Sequence, residues 1–179
     1  MKMEYFRLCQ SRKMNNVFPV EGLDTQVYVA NPTQEQFQKL PQSIVTYFSY
    51  RNDYEVSDYL VAPTPMVSDG LRKVFAMYEP QMKFKSIQCY ADKEEDIYKM
   101  APAFYVYYIE RTACLHKDSV IAPNGGVSQL VLDKNRMNRS DIMVIDGIPE
   151  KITIVSLAVA ESILRRNMFG IDFQEVEIK

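Results

Sequence analysis

Two stretches decide the fold, VSDGLRKVFAMYEPQMKFKSIQCY (67–90) and VSLAVAESILRRNMFGIDFQEVEIK (155–179), because the second repeats the plan of the first. In each, a Val-Ser pair opens an amphipathic run. Leu71, Val74, Phe75 and Tyr78 fall at helical spacing after Ser68, and Leu157, Ala160, Ile163 and Leu164 do so after Ser156. A serine at the head of such a run accepts a bond from an otherwise unpaired backbone N–H, so both runs read as capped helices. Glu79-Pro80 closes the first; Arg165-Arg166 and then Asn167 end the second. In the tails, Met82, Phe84, Ile87 and Cys89 match Ile171, Phe173, Val176 and Ile178 at a constant offset of 89 (171 minus 82, 178 minus 89). Both tails predict strands whose alternation slips after the second apolar residue, the signature of a β-bulge or of a strand leaving its sheet.

Outward from this repeat the chain is rich in strand signals. Tyr5, Phe6 and Leu8, with Met3 before them, predict an N-terminal strand; Val27 to Val29 and Ile44 to Tyr50 predict two more. Pro32-Thr33 before Gln34 to Leu40 predicts a short helix ended by Pro41. The run Asp92 to Asp96 reads as a solvated acidic segment opening a helix that reaches Met100. Phe104 to Leu115 is the strongest strand pattern, and aromatics on both its faces require both to be covered. Asn124-Gly125-Gly126 predicts a turn before a strand at Val127 to Leu132, and Asp146-Gly147 predicts a hairpin between Ile142–Ile145 and Ile152–Val155. Strands that come in adjacent runs, not in alternation with helices, predict an α+β fold, strand-rich and mostly antiparallel, with a duplicated helix-strand unit. The 179 residues form one domain, or two lobes sharing a core, 1–100 and 101–179.

Bulk composition narrows the classes. Twenty-one basic against twenty-three acidic residues supply no basic footprint for nucleic acid. Cys9, Cys89 and Cys114 form an odd set without C-x-x-C, which predicts reduced thiols and neither a disulfide framework nor a zinc site. No apolar stretch reaches the roughly 18 residues a membrane span needs, and the charged start MKMEYFRLCQ is unlike a signal peptide, so the expected place is the cytoplasm, away from membranes.

Few residues offer chemistry. The single histidine stands in Cys114-Leu115-His116-Lys117-Asp118, where a strand would turn Cys114, His116 and Asp118 to one face. Side chains two apart on a strand are about 7 Å apart, too far for a thiol-imidazole bond. Glu94-Glu95-Asp96 reads as a solvated charge run, and Glu175 with Glu177 as the outward face of the last strand. Gly125-Gly126 lacks the surroundings of a phosphate loop, and Asn138-Arg139-Ser140 matches a glycosylation sequon without a secretory signal to use it. No catalytic, metal or cofactor constellation is expected. The twelve tyrosines carry more weight as a contact surface, aromatics rimmed by acids suiting a basic protein partner. Tyr54, Asp58, Tyr59, Asp96, Tyr98, Tyr107 and Glu110 are the candidates, against the competing reading that such rings pack in the core with their hydroxyls at its edge.

Several motifs share one arrangement: Tyr105 to Ile109, Cys114-Leu115 with Asp118-Ser119, Leu130-Val131-Leu132-Asp133, Ile142 to Ile145, Val155-Ser156 and Gly170-Ile171-Asp172-Phe173, with Asp58-Tyr59-Leu60 and Val67-Ser68 upstream. Over roughly the last two thirds of the chain, this resembles the immunity proteins of bacterial polymorphic toxin systems, in a domain long known only as one of unknown function. His116 departs from the acidic residue more often found there. The resemblance implies a cytoplasmic, cofactor-free protein that binds a cognate toxin domain and blocks it. Two other readings stand beside it, a small cytosolic enzyme using Cys114 and His116, and a scaffolding module whose repeat builds a homodimer. The oligomeric state is open between monomer and homodimer.

Overall fold

The duplicated stretch folds twice into the same unit, and each unit borrows its central strand from the opposite half of the chain. The computed structural model describes residues 4–27, 29, 31–138 and 140–179. Among these, the first half contains β1 (Tyr5–Gln10), α1 (Gln34–Lys39), β2 (Ser43–Phe48), β3 (Tyr59–Leu60), β4 (Met66–Ser68), α2 (Asp69–Tyr78) and β5 (Lys83–Ala91). The second contains β6 (Ala103–Tyr108), β7 (Val120–Ile121), β8 (Val127–Gln129), β9 (Val131–Leu132), β10 (Ile142–Val144), β11 (Thr153–Ser156), α3 (Leu157–Arg165), β12 (Ile171–Glu175) and β13 (Glu177–Ile178). The fold is α+β with mostly antiparallel sheets.

The caps form as the serines dictate. Ser68 Oγ accepts from Leu71 N at 3.2 Å and Ser156 Oγ from Val159 N at 3.4 Å. Each serine hydroxyl also donates to an aspartate, Ser68 to Asp58 and Ser156 to Asp141. Each serine N–H reaches the same aspartate's carbonyl, at 2.9 and 2.8 Å. The repeat therefore begins further upstream, at Ser57-Asp58-Tyr59-Leu60-Val61 and Ser140-Asp141-Ile142-Met143-Val144. These lead into the hairpins β3–β4 and β10–β11, with Tyr59 opposite Val67 and Ile142 opposite Val155.

Sheet order exposes the exchange. One sheet runs β2-β5-β6-β4-β3 and the other β10-β11-β1-β12. Strand β6, which opens the second half, lies between β4 and β5 of the first; β1, which opens the first half, lies between β11 and β12 of the second. Registers agree: Tyr107 opposes Phe84 as Leu8 opposes Phe173, and Phe104 opposes Ser68 as Tyr5 opposes Ser156. Even the outer parallel strands correspond, Val45 of β2 facing Gln88 and Val131 of β9 facing Glu177 (177 minus 88 is again 89). The lobes 1–100 and 101–179 are thus interlocked, neither sheet being complete without a strand from the other segment.

Three apolar clusters hold this arrangement. The central one joins the inner faces of both sheets to α2 and α3, through Leu8, Tyr107, Val67, Val155, Phe75 and Ile163. The outer face of the five-stranded sheet (Met66, Ile87, Phe104, Val106) is covered by Phe18 and Phe37 from the segment before β2, and that of the four-stranded sheet (Tyr5, Met143, Ile154, Val176) by Cys114, Met137 and Ile148. This explains the slip in alternation. Phe84 packs into the central cluster while Ile87 and Cys89 pack outward, and Phe173 and Val176 divide likewise. In β5 the ladder to β6 runs on without a bulge; in the second copy the chain leaves its sheet at Val176 so that β13 can pair with β9. Strand β6 buries both faces, as its aromatics require.

Several boundaries differ from the sequence expectation. Thr25 to Val27 form a turn, not a strand, while Tyr28 and Met3 lie outside the described residues. The strand expected over 104–115 ends at Tyr108, because Thr112 and Leu115 turn to bridge Ile145 and Leu132. The strand expected over 127–132 divides at Leu130, since its two parts pair with different neighbours, β8 with β7 and β9 with β13. The acidic run makes one 3-10 turn, Glu94–Asp96, and no helix to Met100. The helix expected after Thr33 forms with a capping box between Thr33 and Gln36.

Candidate functional site

The seven residues expected to meet a partner do not form one surface. Tyr59 and Tyr107 are core residues, 1% and 0% exposed, and this removes them from any contact face. Their rings are the large apolar bodies the central cluster needs, and their hydroxyls are satisfied internally: Tyr107 Oη lies 2.7 Å from Thr153 Oγ1, and Tyr59 joins the same hydrogen-bonded group. Burial pushes both phenols up. Asp58 works as a brace, accepting from the Ser68 hydroxyl and, at 2.7 Å, from Phe169 N. Tyr54 is half-buried, edge-on to Phe18 and Phe48, with the Arg51 guanidinium 5.7 Å from its ring centre.

The remaining three keep an outward role or lie beside one. Glu110 is exposed and accepts from Tyr108 Oη at 2.7 Å; burial first, and that carboxylate second, push the Tyr108 phenol up to about 12. The Asp96 carboxylate is largely covered and bound at 2.6 Å by Lys99 Nζ, which also stands 5.1 Å from the Tyr50 ring centre. That bond holds the Lys99 ammonium above its usual range. Tyr98, between them, is 97% exposed. It belongs to the link between β5 and β6, tied to β2 by Ser49 Oγ donating to Asp92 at 2.8 Å. Beside it Tyr50, Arg51, Asn52, Asp53 and Lys99 line an open groove. Among the described residues Asp92, Glu94 and Glu95, on the same segment as Tyr98, enter no ion pair.

The Cys114-His116 pair is not assembled. Cys114 is fully buried in the outer cluster of the four-stranded sheet, and burial pushes its thiol up to about 11. His116 Nδ1 accepts the Asp118 N–H at 3.2 Å, and the Asp118 carboxylate is held below its usual range by Lys179 Nζ at 2.6 Å.

One residue that sequence reasoning passed over is Lys151. It is 9% exposed, its Nζ donates to Tyr107 O at 2.6 Å and stands 3.8 Å from the centre of the Tyr107 ring, and no carboxylate among the described residues pairs with it. Burial alone brings its ammonium down to about 7. A small cavity with room for no more than a single water lies beside it, lined also by Asn31 and Arg111. Asn31 Nδ2 donates to Ile148 O and Pro149 O at 3.1 and 3.0 Å, while its buried Oδ1 has no partner among the described residues. Alternation carried the signal, since Lys151 shares parity with inward-facing Thr153 and Val155; residue type argued against burial.

No helix among the described residues is long and apolar enough to cross a membrane, and no group of three His, Cys, Asp or Glu side chains among them is placed to hold a metal ion. No protein-family model and no curated protein matches this chain.

Proposed function

We propose that this chain is a binding protein of the immunity type, one that neutralises a bacterial toxin domain by direct contact and makes or breaks no bonds itself. The observation that carries the reading is Tyr98, a large amphipathic ring left 97% exposed on a segment whose Asp92, Glu94 and Glu95 enter no ion pair among the described residues. Ordinary surfaces leave tyrosine partly packed, whereas the hot spots of interfaces are enriched in it. Interlocked strands, and not this link, hold the two halves together, so its exposed side chains are free to serve a partner. The acids fit a basic toxin surface and would speed encounter. The sequence resemblance supplies the class of partner. On this reading the protein works in the cytoplasm without a cofactor.

The test is survival. Cells expressing the toxin domain encoded beside this gene should live when the chain is co-expressed, and Tyr98→Ala should weaken the complex about tenfold or more. Death of cells carrying the intact chain would overturn the proposal.

A further inference from the structure

Strand β2 is an outer strand with an unguarded edge. Gln42 O accepts from Ser86 N at 3.0 Å and Phe48 O from Asp92 N at 2.9 Å, so the even-numbered backbone groups face β5. By the alternation of a strand, Ser43, Val45 and Tyr47 turn their N–H and C=O groups the other way. Among the described residues no backbone group meets them. The strand, SIVTYF, has no charge and no proline to discourage pairing, and Val45 and Tyr47 are 53% and 63% exposed.

The internal repeat shows what such an edge accepts. The counterpart of β2 is β9, where Val131 stands for Val45 and Asp133 for Tyr47 (131 minus 45 and 133 minus 47 are both 86). There the same backbone groups are taken by an antiparallel segment. His116 N donates to Val131 O at 2.9 Å, Asp133 N donates to Cys114 O at 2.8 Å, and Leu115 bridges Leu132. Val131 is 0% exposed there. Among the described residues of the first half no backbone segment pairs with β2 in this way.

We infer that the free edge of β2 pairs antiparallel with β2 of a second copy of this chain, joining two five-stranded sheets across a two-fold axis. Charge selects this occupant. Near the start of β2 stand Lys83 and Lys85, near its end Asp92, Glu94 and Glu95, and none of the five enters an ion pair among the described residues. Antiparallel copies bring the basic end of one beside the acidic end of the other, twice, while Val45 and Tyr47 of the two strands cover one another. The pairing shares Asp92, Glu94 and Glu95 with the toxin reading but not its central ring, Tyr98, and it is tested without toxin.

Sedimentation equilibrium of the intact chain should give twice the 20.8 kDa chain mass. Val45→Lys, which sets like charges opposite one another at an already exposed position, should raise the dissociation constant about tenfold or more with circular dichroism unchanged. In the wild-type chain, exchange of the Val45 and Tyr47 amide hydrogens should slow as concentration rises. A wild-type chain that sediments as a monomer at every concentration, a Val45→Lys variant that dimerises as the wild type does, or amides at 45 and 47 that exchange freely at all concentrations would each overturn the inference.

Discussion

Replacing Lys151 by methionine should stabilise this protein near neutral pH. The ammonium is buried without a carboxylate, and burial lowers it from 10.5 to about 7. A base depressed in the folded state binds fewer protons there than in the unfolded chain, so stability falls as pH drops from 10.5 toward 7 and is flat below. At 1.36 kcal/mol per pH unit, the difference sets a cost of about 4 to 5 kcal/mol at pH 7. Methionine has a similar unbranched stem and removes that cost, but it leaves Tyr107 O without its donor, a loss of about 1 to 3 kcal/mol. The net gain expected is about 2 kcal/mol, as found when buried ionic groups give way to apolar ones. Urea unfolding at a series of pH values measures both parts. The variant's advantage should be widest at pH 7 and below, vanish at about pH 8.5 to 9, and reverse toward pH 10, where only the lost hydrogen bond to Tyr107 O remains. A variant less stable than wild type at pH 7, or a gap that ignores pH, would refute the burial argument.

Other outcomes follow from particular contacts. Gly170 has φ +74°, and a Cβ there would collide with Ser57 Oγ and Met14 Sδ, so Gly170→Ala should lower stability by about 2 to 3 kcal/mol in chemical denaturation. Gly147, at φ +84° with open space around it, should suffer less from the same change, about 1 kcal/mol. Ser68→Ala and Ser156→Ala remove equivalent caps and should cost about 1 to 2 kcal/mol each, with similar thermal shifts. Tyr107→Phe leaves the buried Thr153 hydroxyl without its Tyr107 partner and should cost about 1 to 2 kcal/mol, whereas Tyr98→Ala should leave stability within about 0.5 kcal/mol.

The candidate site was legible only in part. Tyr98 follows an acidic run and is exposed, yet Tyr59 and Tyr107 sit in equally tyrosine-rich segments and are core residues. A ring that can bury its body and satisfy its hydroxyl looks alike in sequence wherever it goes; only Thr153 beside Tyr107 decides the matter. Lys151 was hidden for the converse reason, because an amine's cost of burial argues against the inward position that alternation assigned it.

What the sequence determined by itself is local. Serine caps, the spacing of Leu71, Val74 and Phe75, and the Asp146-Gly147 turn act over a few residues, and the helices and the β10–β11 hairpin form where those signals stand. Beyond that hairpin, which strand lies beside which was decided by the tertiary structure. Backbone N–H and C=O groups are the same in every strand, so periodicity shows that Phe104 to Tyr108 has two buried faces but not that its neighbours are β4 and β5. The exchange of β1 and β6 is set by the shared core between the sheets, where Leu8 and Tyr107 fill equivalent positions from opposite halves of the chain.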